Sequence, residues 1–594
     1  MTTPRRARFT RFLTVIGALT TGAVALVVVV ALFRCATADR VESNTVLELD
    51  LERPIVAHAS SDPLARLTGG GALALDDVVN ALDRASGDPR VVGVVARIGG
   101  TEHGMATTQE LRDAIAGFRG SGKFAIAYAE TFGEFGPGNQ GYYLATAFDE
   151  IWLQPSGDVG LSGLVVQSMF LRGALDKLDA APRMDHRYEY KNAKNMFTER
   201  GFTPAHREAM GAVLRSMSGQ LVEGIAAGRR LDAGAVAGLV DRGPFLGQEA
   251  VDAGLVDRLG YRDEVMAAID DKAGAKAHLL YAGAYLGRAG RPNLSGKRIA
   301  LVFGTGSVSR GASSYDPVFG GPTMGSDTVA GALRQAIDDP EVAAILFRVD
   351  SPGGSYVASD AIWRETVRAK AAGKPVIVSM GDVAGSGGYF VAMSATKIVA
   401  HPGTITGSIG VLGGKILTRS LWEKLGVTWE DVHVAANATM WSNLHDYDAR
   451  GWERFQAWLD RVYADFTAKV AEGRGLPLEE VQKIARGRIW TGADAQKIGL
   501  VDELGGYAVA LRLTREALEL PADAPIEVKV YPEEKGLFGA LLGGERENSG
   551  APASTRAAIG GLESLAPVAQ GLRDLGLGPG SHGVLSTPAL DLDP

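Results

Sequence analysis

The sequence has little cysteine, little histidine and no excess of positive charge. Its single cysteine, Cys35, excludes a disulfide framework within the chain and a cysteine-based metal cage. The nine histidines show no HExxH or comparable ligand spacing, so we expect neither a metal nor another cofactor. Acidic residues outnumber basic ones by 69 to 61, and no basic stripe stands out. The composition therefore argues against a nucleic-acid partner.

Charged residues are also absent from one long stretch near the start of the chain. Phe12–Phe33 contains 22 residues without a charge, which is enough to span a bilayer. Four arginines precede this run and only two follow it closely, so the positive-inside rule predicts a cytoplasmic N-terminus and an extracytoplasmic remainder. A cleaved signal peptide is the alternative, because Ala36-Thr37-Ala38 fits a cleavage site. The run exceeds the roughly 7–15 apolar residues of a signal peptide, which favours an uncleaved anchor.

The rest of the chain is too long for one hydrophobic core, and predicted strands alternate with predicted helices along it. The first predicted strands are Thr45–Leu51, Val91–Ala96 and Lys123–Tyr128, and the helices between them are Leu75–Ala85 and Thr107–Phe118. This alternation is typical of βαβ units in a largely parallel sheet, so we expect an α/β fold.

The second part of the chain repeats the first. Asp88-Pro89 matches Asp339-Pro340, and Gly122-Lys123 matches Gly373-Lys374, both at a shift of 251 residues. Further matches continue at a shift of 247, and the sequence Gly-Leu-Val-Asp closes both copies. An internal duplication of about 250 residues predicts two tandem homologous α/β domains. The predicted parts are a cytoplasmic stub and anchor at 1–40, an N-terminal repeat at 41–291, a C-terminal repeat at 292–535 and a low-complexity, mostly disordered tail at 536–594.

Two glycine-rich turns stand out in the C-terminal repeat. Each follows a short apolar run that is typical of a buried strand, Val342–Val349 for the first turn and Pro375–Met380 for the second. Ser386 lies between glycines in the second turn, where the missing side chains would let a substrate carbonyl approach the hydroxyl. We expect the backbone amides of Gly387 and of Gly354, in the first turn, to stabilise an oxyanion. The alternative is two ordinary βα turns without a catalytic function.

The two repeats differ at the positions where chemistry is expected. Ser386 falls opposite Asn139, and the Gly-Gly turn has no counterpart in the N-terminal repeat. Conversely, Lys191 of the N-terminal repeat falls opposite Ala438. Each repeat thus holds one reactive residue type where the other has none. The alternative for Lys191 is a solvated surface lysine.

Together these motifs resemble the signal peptide peptidase A family, also called protease IV, in its long, duplicated bacterial form. The resemblance spans roughly residues 40–535 and is carried by four segments: Asp350–Ser355, Met380–Tyr389, Thr406–Gly410 and Tyr190–Ala193. It implies two tandem domains similar to Clp protease and crotonase. It also implies a serine peptidase with a Ser-Lys dyad, in which Ser386 is the nucleophile and Lys191 is the general base. Lys194 is the alternative candidate for the general base.

The same resemblance implies a single-pass protein of the bacterial inner membrane, with its catalytic domains on the periplasmic side. Members of the family digest signal peptides after these have been cut from secreted proteins, and the long form is typically a dome-shaped tetramer. We therefore expect peptide substrates, the inner membrane and further copies of the chain as partners. An anchored groove also suits short apolar peptides, which partition into the membrane interface.

A lysine can serve as a base only if its pKa is lowered. Near its ordinary value of ~10.4 the ammonium is protonated at neutral pH. Burial in an apolar groove can lower that pKa by up to ~3–5 units, and a groove closed between two domains would provide the burial. We expect Ser408 to hydrogen-bond Lys191 and hold it in place.

Three other functions fit parts of the sequence. A Ser-His-Asp hydrolase would use His401, which lies 15 residues after Ser386 on the next strand. A crotonase-like acyl-CoA enzyme would share the fold and the oxyanion turns, but it needs neither the serine nor an anchor. A membrane-tethered scaffold without activity fits the N-terminal repeat alone and does not account for the intact serine turn of the C-terminal repeat.

Overall fold

A computed structural model of the protein describes residues 40–58, 72–100, 103–314, 322–532 and 585–586. Within these residues the chain forms a mixed α/β fold with two large sheets, as the alternating sequence pattern predicts. No helix in this part of the chain is long and apolar enough to cross a bilayer. The anchor predicted at Phe12–Phe33 lies outside the described residues.

The N-terminal half, residues 40–291, contains eleven strands and ten helices among its described residues. The strands are β1 (Thr45–Asp50), β2 (Ile55–Val56), β3 (Leu73–Ala74), β4 (Val91–Arg97), β5 (Phe124–Ala129), β6 (Glu150–Leu153), β7 (Asp158–Val159), β8 (Ala181–Arg187), β9 (Phe245–Leu246), β10 (Arg258–Leu259) and β11 (His278–Tyr281). The helices are α1 (Leu75–Ser86), α2 (Met105–Arg119), α3 (Asn139–Ala145), α4 (Arg172–Lys177), α5 (Asn195–Thr198), α6 (Pro204–Arg229), α7 (Ala233–Val240), α8 (Gly247–Asp252), α9 (Arg262–Ala273) and α10 (Ala282–Ala289).

The C-terminal half, residues 292–532, follows the same alternation. Its strands are β12 (Lys297–Thr305), β13 (Ser307–Ser309), β14 (Thr323–Gly325), β15 (Val342–Ser351), β16 (Gly353–Gly354), β17 (Val376–Gly385), β18 (Lys397–Ala400), β19 (Ile405–Gly407), β20 (Val411–Leu417), β21 (Ile489–Thr491), β22 (Glu503–Leu504) and β23 (Ile526–Tyr531). Its helices are α11 (Ser326–Asp338), α12 (Tyr356–Ala371), α13 (Gly387–Ala392), α14 (Arg419–Lys424), α15 (Ala449–Arg474), α16 (Leu478–Ile484), α17 (Gly492–Lys497) and α18 (Tyr507–Ala517).

The large sheet of the N-terminal half has the strand order β10-β6-β5-β4-β1-β11, and all of its pairs are parallel. Because side chains alternate across a strand, neighbouring residues pack on opposite faces. Val46 and Val95 face α9, whereas Leu47 and Val94 join the larger core with α1 and α2. Both faces are therefore buried, which explains the nearly continuous apolar runs of these strands.

The large sheet of the C-terminal half has the order β21-β19-β17-β15-β12-β23, with β18 beside β17 and β22 beside β18. All pairs are parallel except β19 with β21. Strands β15 and β17 are neighbours, so their carboxyl ends meet at one edge of the sheet. The two glycine-rich segments predicted from the sequence follow these ends and therefore lie side by side.

Equivalent hydrogen bonds in the two halves show the same duplication that the sequence shows. The Nζ atom of Lys123 donates to the carbonyl of Asp88, and that of Lys374 donates to the carbonyl of Asp339, both at 2.6 Å. The hydroxyls of Tyr142 and Tyr389 each donate to a leucine carbonyl, at 2.8 Å and 2.9 Å. The two halves therefore share side-chain contacts as well as strand order.

The halves are joined by an antiparallel strand pair and by buried polar contacts. Strand β8 of the N-terminal half pairs with β20 of the C-terminal half over seven residues, from Ala181 opposite Leu417 to Arg187 opposite Val411. Elsewhere in the interface, Arg348 forms a buried ion pair with Glu110 and also donates to the Ser379 hydroxyl at 2.7 Å. Although burial alone would raise it, the Arg348 guanidinium holds the pKa of Glu110 below its ordinary value.

The structure contains two short strands that the sequence analysis does not predict. Gly353–Gly354 was expected to form only a turn, but it is a short strand that pairs with β13. In the tail predicted to be mostly disordered, the backbone of Leu585–Ser586 forms strand β24, which pairs with β16. Neither pairing is visible in a local sequence pattern, because both join segments that are distant along the chain.

Replacing Arg348 by methionine should strongly lower the midpoint of thermal unfolding. The Glu110 carboxylate would remain buried without its partner, and breaking such a pair typically destabilises a protein by about 3–5 kcal/mol. Arg512→Met is the matched control, because Arg512 pairs with Glu516 at the surface, where the side chains are 41% and 55% exposed. That loss should stay below about 1 kcal/mol. Equal midpoints for the two variants would contradict the importance of the interface pair.

Candidate active site

Ser386 occupies the sharp turn between β17 and α13. Its backbone has φ 54° and ψ −112°, a conformation that residues with a side chain rarely adopt. The Ser386 amide donates to the carbonyl of Gly407 at 2.8 Å, which fixes the turn against β19. The side chain is fully buried. The turn thus holds the hydroxyl in one place at the carboxyl edge of the sheet.

The Ser386 hydroxyl meets a lysine from the other half of the protein. The Nζ atom of Lys191 lies 2.8 Å from the Oγ atom of Ser386. It also lies 2.9 Å from the carbonyl oxygen of Ser408 and 3.0 Å from the Ser408 Oγ atom. All three residues are 0% exposed. The structure therefore brings together three residues singled out in the sequence.

Lys191 reaches this position because of the strand pair between the halves. It follows β8 by a few residues and precedes a short 3₁₀ helix, Asn192–Lys194. The amide of the adjacent Tyr190 donates to the carbonyl of Arg486 at 3.2 Å. Gly487 packs so closely that a Cβ atom on it would lie 2.6 Å from the Lys191 Cβ. A glycine at 487 is therefore required for the lysine to lie in the interface.

Burial lowers the pKa of Lys191 well below its ordinary value of 10.5. The cause is desolvation, since transferring an ammonium out of water disfavours the charged form. The contacts of Nζ are two hydroxyl oxygens and a carbonyl oxygen, and no carboxylate lies among these hydrogen-bond partners. The arrangement thus favours a neutral amine beside a serine hydroxyl.

Gly387 and Gly354 lie against each other next to the serine. A Cβ atom on Gly387 would be 3.0 Å from the Gly354 nitrogen and 2.7 Å from the Ser359 Oγ. At Gly354, with φ +153°, a Cβ would be 2.2 Å from the Val308 carbonyl oxygen. Both positions therefore exclude a side chain, and the backbones of the two glycines lie in close contact beside the Ser386 turn. This is the proximity that an oxyanion site needs.

Two aspartates at the base of the turns were missed by the sequence analysis. Asp382, in β17, accepts hydrogen bonds from the Thr107 amide at 2.9 Å and from the Thr107 hydroxyl at 2.5 Å, across the interface. Asp350, at the end of β15, accepts a hydrogen bond from the Val383 amide at 3.1 Å. Burial and the neighbouring Asp382 raise the pKa of Asp350 to about 6. In the sequence, the only indication that these aspartates belong to the site is that each lies near the end of a predicted buried strand.

The other candidate bases lie elsewhere. Lys194 is half-buried in the 3₁₀ helix, and among the described residues its side chain makes no hydrogen bond to Ser386. His401 is almost fully buried near Glu110 and Asp113, at 3.8 Å and 3.7 Å. Neither ring nitrogen has a hydrogen-bond partner in the described part of the chain, and burial lowers the pKa of His401 to about 4. The geometry does not connect His401 to the serine.

The corresponding place in the N-terminal half holds an amide instead of a nucleophile. Asn139 is fully buried at the start of α3. Its Oδ1 atom accepts hydrogen bonds from the amides of Ser162 and Gly163, at 3.0 Å and 2.9 Å. The side chain therefore ties a loop in place. Across the described ranges of both halves, no group of three or more His, Cys, Asp or Glu side chains could hold a metal ion.

Comparison with known proteins identifies the family of the chain. The sequence model of peptidase family S49 matches residues 118–276 and 368–520, one region in each half. The chain belongs to peptidase family S49. It is 33% identical to Protease 4 of Salmonella typhi over 75% of this chain and 72% of that protein. It is 30% identical to the chloroplastic serine protease SPPA of Arabidopsis thaliana, over 82% of this chain and 71% of that protein.

Family membership establishes the reaction class. The S49 chain is a serine peptidase, a hydrolase that acts on peptide bonds, and the resemblance to protease IV is confirmed. Among solved structures, a ClpP1 mutant from Listeria monocytogenes aligns over 36% of this chain and 94% of that chain, with 16% identity and a TM-score of 0.23. The mixed α/β class is confirmed, and the finer Clp protease and crotonase-like assignment stays a prediction.

Replacing Lys191 by methionine should change how the stability of this S49 chain depends on pH. The unfolded lysine binds a proton below about pH 10.4, whereas the buried lysine stays neutral to a much lower pH. The contribution of this group to stability is therefore present above about pH 10.4. This contribution to the free energy of unfolding is lost as the pH falls towards the lowered pKa that the lysine has in the folded protein. The loss is up to about 1.4 kcal/mol for each pH unit.

The measurement is the unfolding midpoint of Lys191→Met minus that of the wild type, from about pH 10 down to about pH 7. We expect this difference to become more favourable to the variant as the pH falls. The control is Lys497→Met, because the Lys497 side chain is 73% exposed and its removal should give a nearly flat difference. A flat difference for Lys191→Met as well would mean that the buried lysine is not neutral.

Proposed function

We propose that this S49 peptidase uses a Ser-Lys dyad, in which Ser386 is the nucleophile and Lys191 is the general base. The observation that carries the proposal is the 2.8 Å distance between Nζ and Oγ, with both residues fully buried. A neutral amine at this distance can accept the serine proton without further rearrangement. Ser-Lys pairs are a recurrent variant of serine-protease chemistry.

The reaction follows from this geometry. As the Ser386 oxygen attacks the peptide carbonyl, its proton passes to the Nζ atom of Lys191. The amides of Gly354 and Gly387 donate to the oxyanion that forms. The lysine ammonium then gives its proton to the leaving amine, which yields an acyl-enzyme on Ser386. Lys191, neutral again, takes a proton from water as the water oxygen attacks the acyl-enzyme carbonyl. The ammonium then returns this proton to the Ser386 oxygen as its bond to the acyl carbon breaks, which releases the second product and restores both residues.

Ser408 acts by positioning the lysine. Its hydroxyl and carbonyl oxygens both lie within hydrogen-bond distance of Nζ, and its amide donates to the carbonyl of Arg488 at 2.8 Å. A flexible lysine side chain loses several rotamers when it is held in one orientation. Two fixed acceptors reduce the reorganisation that proton transfer would otherwise require.

We further propose that the substrates are cleaved signal peptides and other short apolar peptides. The predicted anchor at Phe12–Phe33 supports a single-pass protein of the bacterial inner membrane, with residues after 40 on the periplasmic side. The repeats at 41–291 and 292–535 are then two domains that close around the dyad, and the assembly is a homotetramer. The family match and the relatives named Protease 4 support peptide substrates.

Ser386→Ala and Lys191→Ala should each lower kcat/KM for a short apolar peptide ester by at least about a thousandfold, because the two residues act as a unit. The matched control is Lys194→Ala, which removes a lysine three residues away and should retain nearly full activity. Wild-type activity should rise with pH as Lys191 loses its proton, with an apparent pKa well below 10.5. Activity retained in Lys191→Ala but lost in Lys194→Ala would move the base to Lys194.

Ser408→Ala should lower kcat by about 10- to 100-fold with little change in KM, because the lysine would lose one of its two acceptors and its orientation. The pH profile of kcat distinguishes a positioning role from a general loss of folded structure. It should shift in this variant, because the surroundings of the lysine amine change. The control is Ser394→Ala, since the Ser394 hydroxyl contacts the Trp363 indole and not the lysine. An unchanged rate and an unchanged pH profile in Ser408→Ala would exclude the positioning role.

A further inference from the structure

Three consecutive residues, 486–488, form a backbone bracket between the segment that carries Lys191 and the one that carries Ser408. The carbonyl of the first residue accepts a hydrogen bond from the Tyr190 amide at 3.2 Å, and the carbonyl of the last accepts one from the Ser408 amide at 2.8 Å. The amide of the middle residue donates to the Ile409 carbonyl at 2.8 Å. The bracket therefore contacts the neighbours of the proposed base and the residue that positions it.

The strand pair between the halves stops short of the lysine. The ladder of β8 with β20 ends at Arg187, opposite Val411. Beyond it the chain turns, and the Lys191 amide donates to the Tyr188 carbonyl at 3.0 Å. The backbone of this turn reaches the bracket through the 3.2 Å hydrogen bond of Tyr190, which is long for an amide and a carbonyl. We therefore expect side chains to contribute to holding the lysine segment in place.

The two arginines of the bracket supply such contacts, each through a pair of hydrogen bonds. The Nη1 and Nη2 atoms of Arg488 lie 2.6 Å and 2.9 Å from the two carboxylate oxygens of Glu208, in α6 of the N-terminal half. The Nε and Nη2 atoms of Arg486 each lie 2.9 Å from a carboxylate oxygen of Glu189, two residues before Lys191. Bidentate pairs of this kind fix orientation as well as distance. Both pairs join the C-terminal half to the N-terminal half.

Arg488 is the more enclosed of the two arginines. Its side chain is 17% exposed, whereas that of Arg486 is 44% exposed. The guanidinium carbon of Arg488 lies 4.6 Å from the centroid of the Trp490 ring and 5.2 Å from that of Tyr190, the residue before the lysine. A guanidinium over an aromatic face is attracted to the ring, and the attraction is stronger where water is excluded. Arg488 thus contacts α6, β21 and the lysine segment together.

We propose that Arg488 is a positioning residue of this peptidase, whose ion pair with Glu208 holds the bracket against the N-terminal half and thereby keeps Lys191 beside the serine hydroxyl. The proposal rests on the proposed function, because it takes Lys191 as the general base. The Nη atoms of Arg488 donate to Glu208, so the arginine acts through the bracket. A pair whose carboxylate side chain is 46% exposed adds little to global stability, so we expect its effect on the rate.

The pH profile of kcat separates a positioning role from a direct effect of charge. The segments around Lys191 carry these charged or imidazole groups: Glu189 and Lys194 on its own segment, His206 and Glu208 on α6, and Arg486 and Arg488 in the bracket. Through charge alone, loss of Arg488 would raise the pKa of the lysine, and loss of Glu208 would lower it. Through position, either loss would let water reach Nζ, and both would raise that pKa towards its ordinary value.

The test uses the full-length chain and compares the wild type with Arg488→Met, Glu208→Gln and the double variant. Each should lower kcat for a short peptide ester by about 10- to 100-fold with little change in KM, because a slightly misplaced base reacts slowly. Both single variants should shift the pH profile of kcat to higher pH. The double variant should be no slower than the slower single variant, because both changes remove one contact. Glu208→Gln alters only a half-exposed carboxylate, so we expect it to fold.

Arg229→Met is the matched control. Arg229 forms the same kind of fork with Asp257, at 2.8 Å and 2.9 Å, and its side chain is 10% exposed. Both residues belong to the N-terminal half, and Arg229 ends α6 at the end away from Glu208. Its kcat and pH profile should match those of the wild type at a temperature where circular dichroism shows every variant to be folded.

Several outcomes would overturn the proposal. Unchanged kcat and pH profiles in Arg488→Met and Glu208→Gln would do so, as would an equal loss of kcat in Arg229→Met. Opposite pH shifts in the two single variants would show that the pair acts only through charge. Losses that multiply in the double variant would show that the two residues do not act through one contact. Failure of the dyad would appear separately, as activity in Lys191→Ala, because all the other variants keep Lys191 and Ser386.

Discussion

The burial of one lysine amine between two halves of the chain is the constraint on which the rest of the site depends. The pKa of Lys191 is lowered only while water is excluded from its Nζ atom, and residues of both halves are needed for that exclusion. The N-terminal half supplies the lysine, and the C-terminal half supplies Ser386 and Ser408. The ladder between β8 and β20 and the buried Arg348–Glu110 pair hold the halves together. The interface therefore sets the pKa of the lysine as well as the geometry of the site.

Much of this architecture could be predicted from local patterns. The strands that end at 351 and 385 are continuous apolar runs, and the serine between glycines marks the turn after the second one. The duplication can be recognised in the sequence because the same residue types recur at equivalent positions. Lys123 and Lys374, for example, make the same contact in the two halves, which explains why both are lysines. Such features depend on residues close in sequence, or on a repeat, and both leave a signal in a single chain.

The remaining features depend on contacts between distant residues, for which a single sequence has no signal. Whether Lys191 or Lys194 faces the serine depends on Gly487, which packs against Lys191 from nearly 300 residues away. The contact of Asp382 with Thr107 joins positions 275 residues apart. The strand at Gly353–Gly354 is likewise a product of its partners, since two glycines have no intrinsic preference for extended backbone. In each case tertiary packing decides the outcome.

The 195 residues that separate Lys191 from Ser386 also determine when the proposed dyad can form. A chain is synthesised from its N-terminus, and its domains generally fold in that order. A partly made chain therefore contains the amine without the hydroxyl. The pair comes together only after the last strands of the C-terminal sheet have formed and docked. The proposed dyad is therefore incomplete in every chain whose C-terminal half has not yet been synthesised, which links this peptidase chemistry to the order of synthesis.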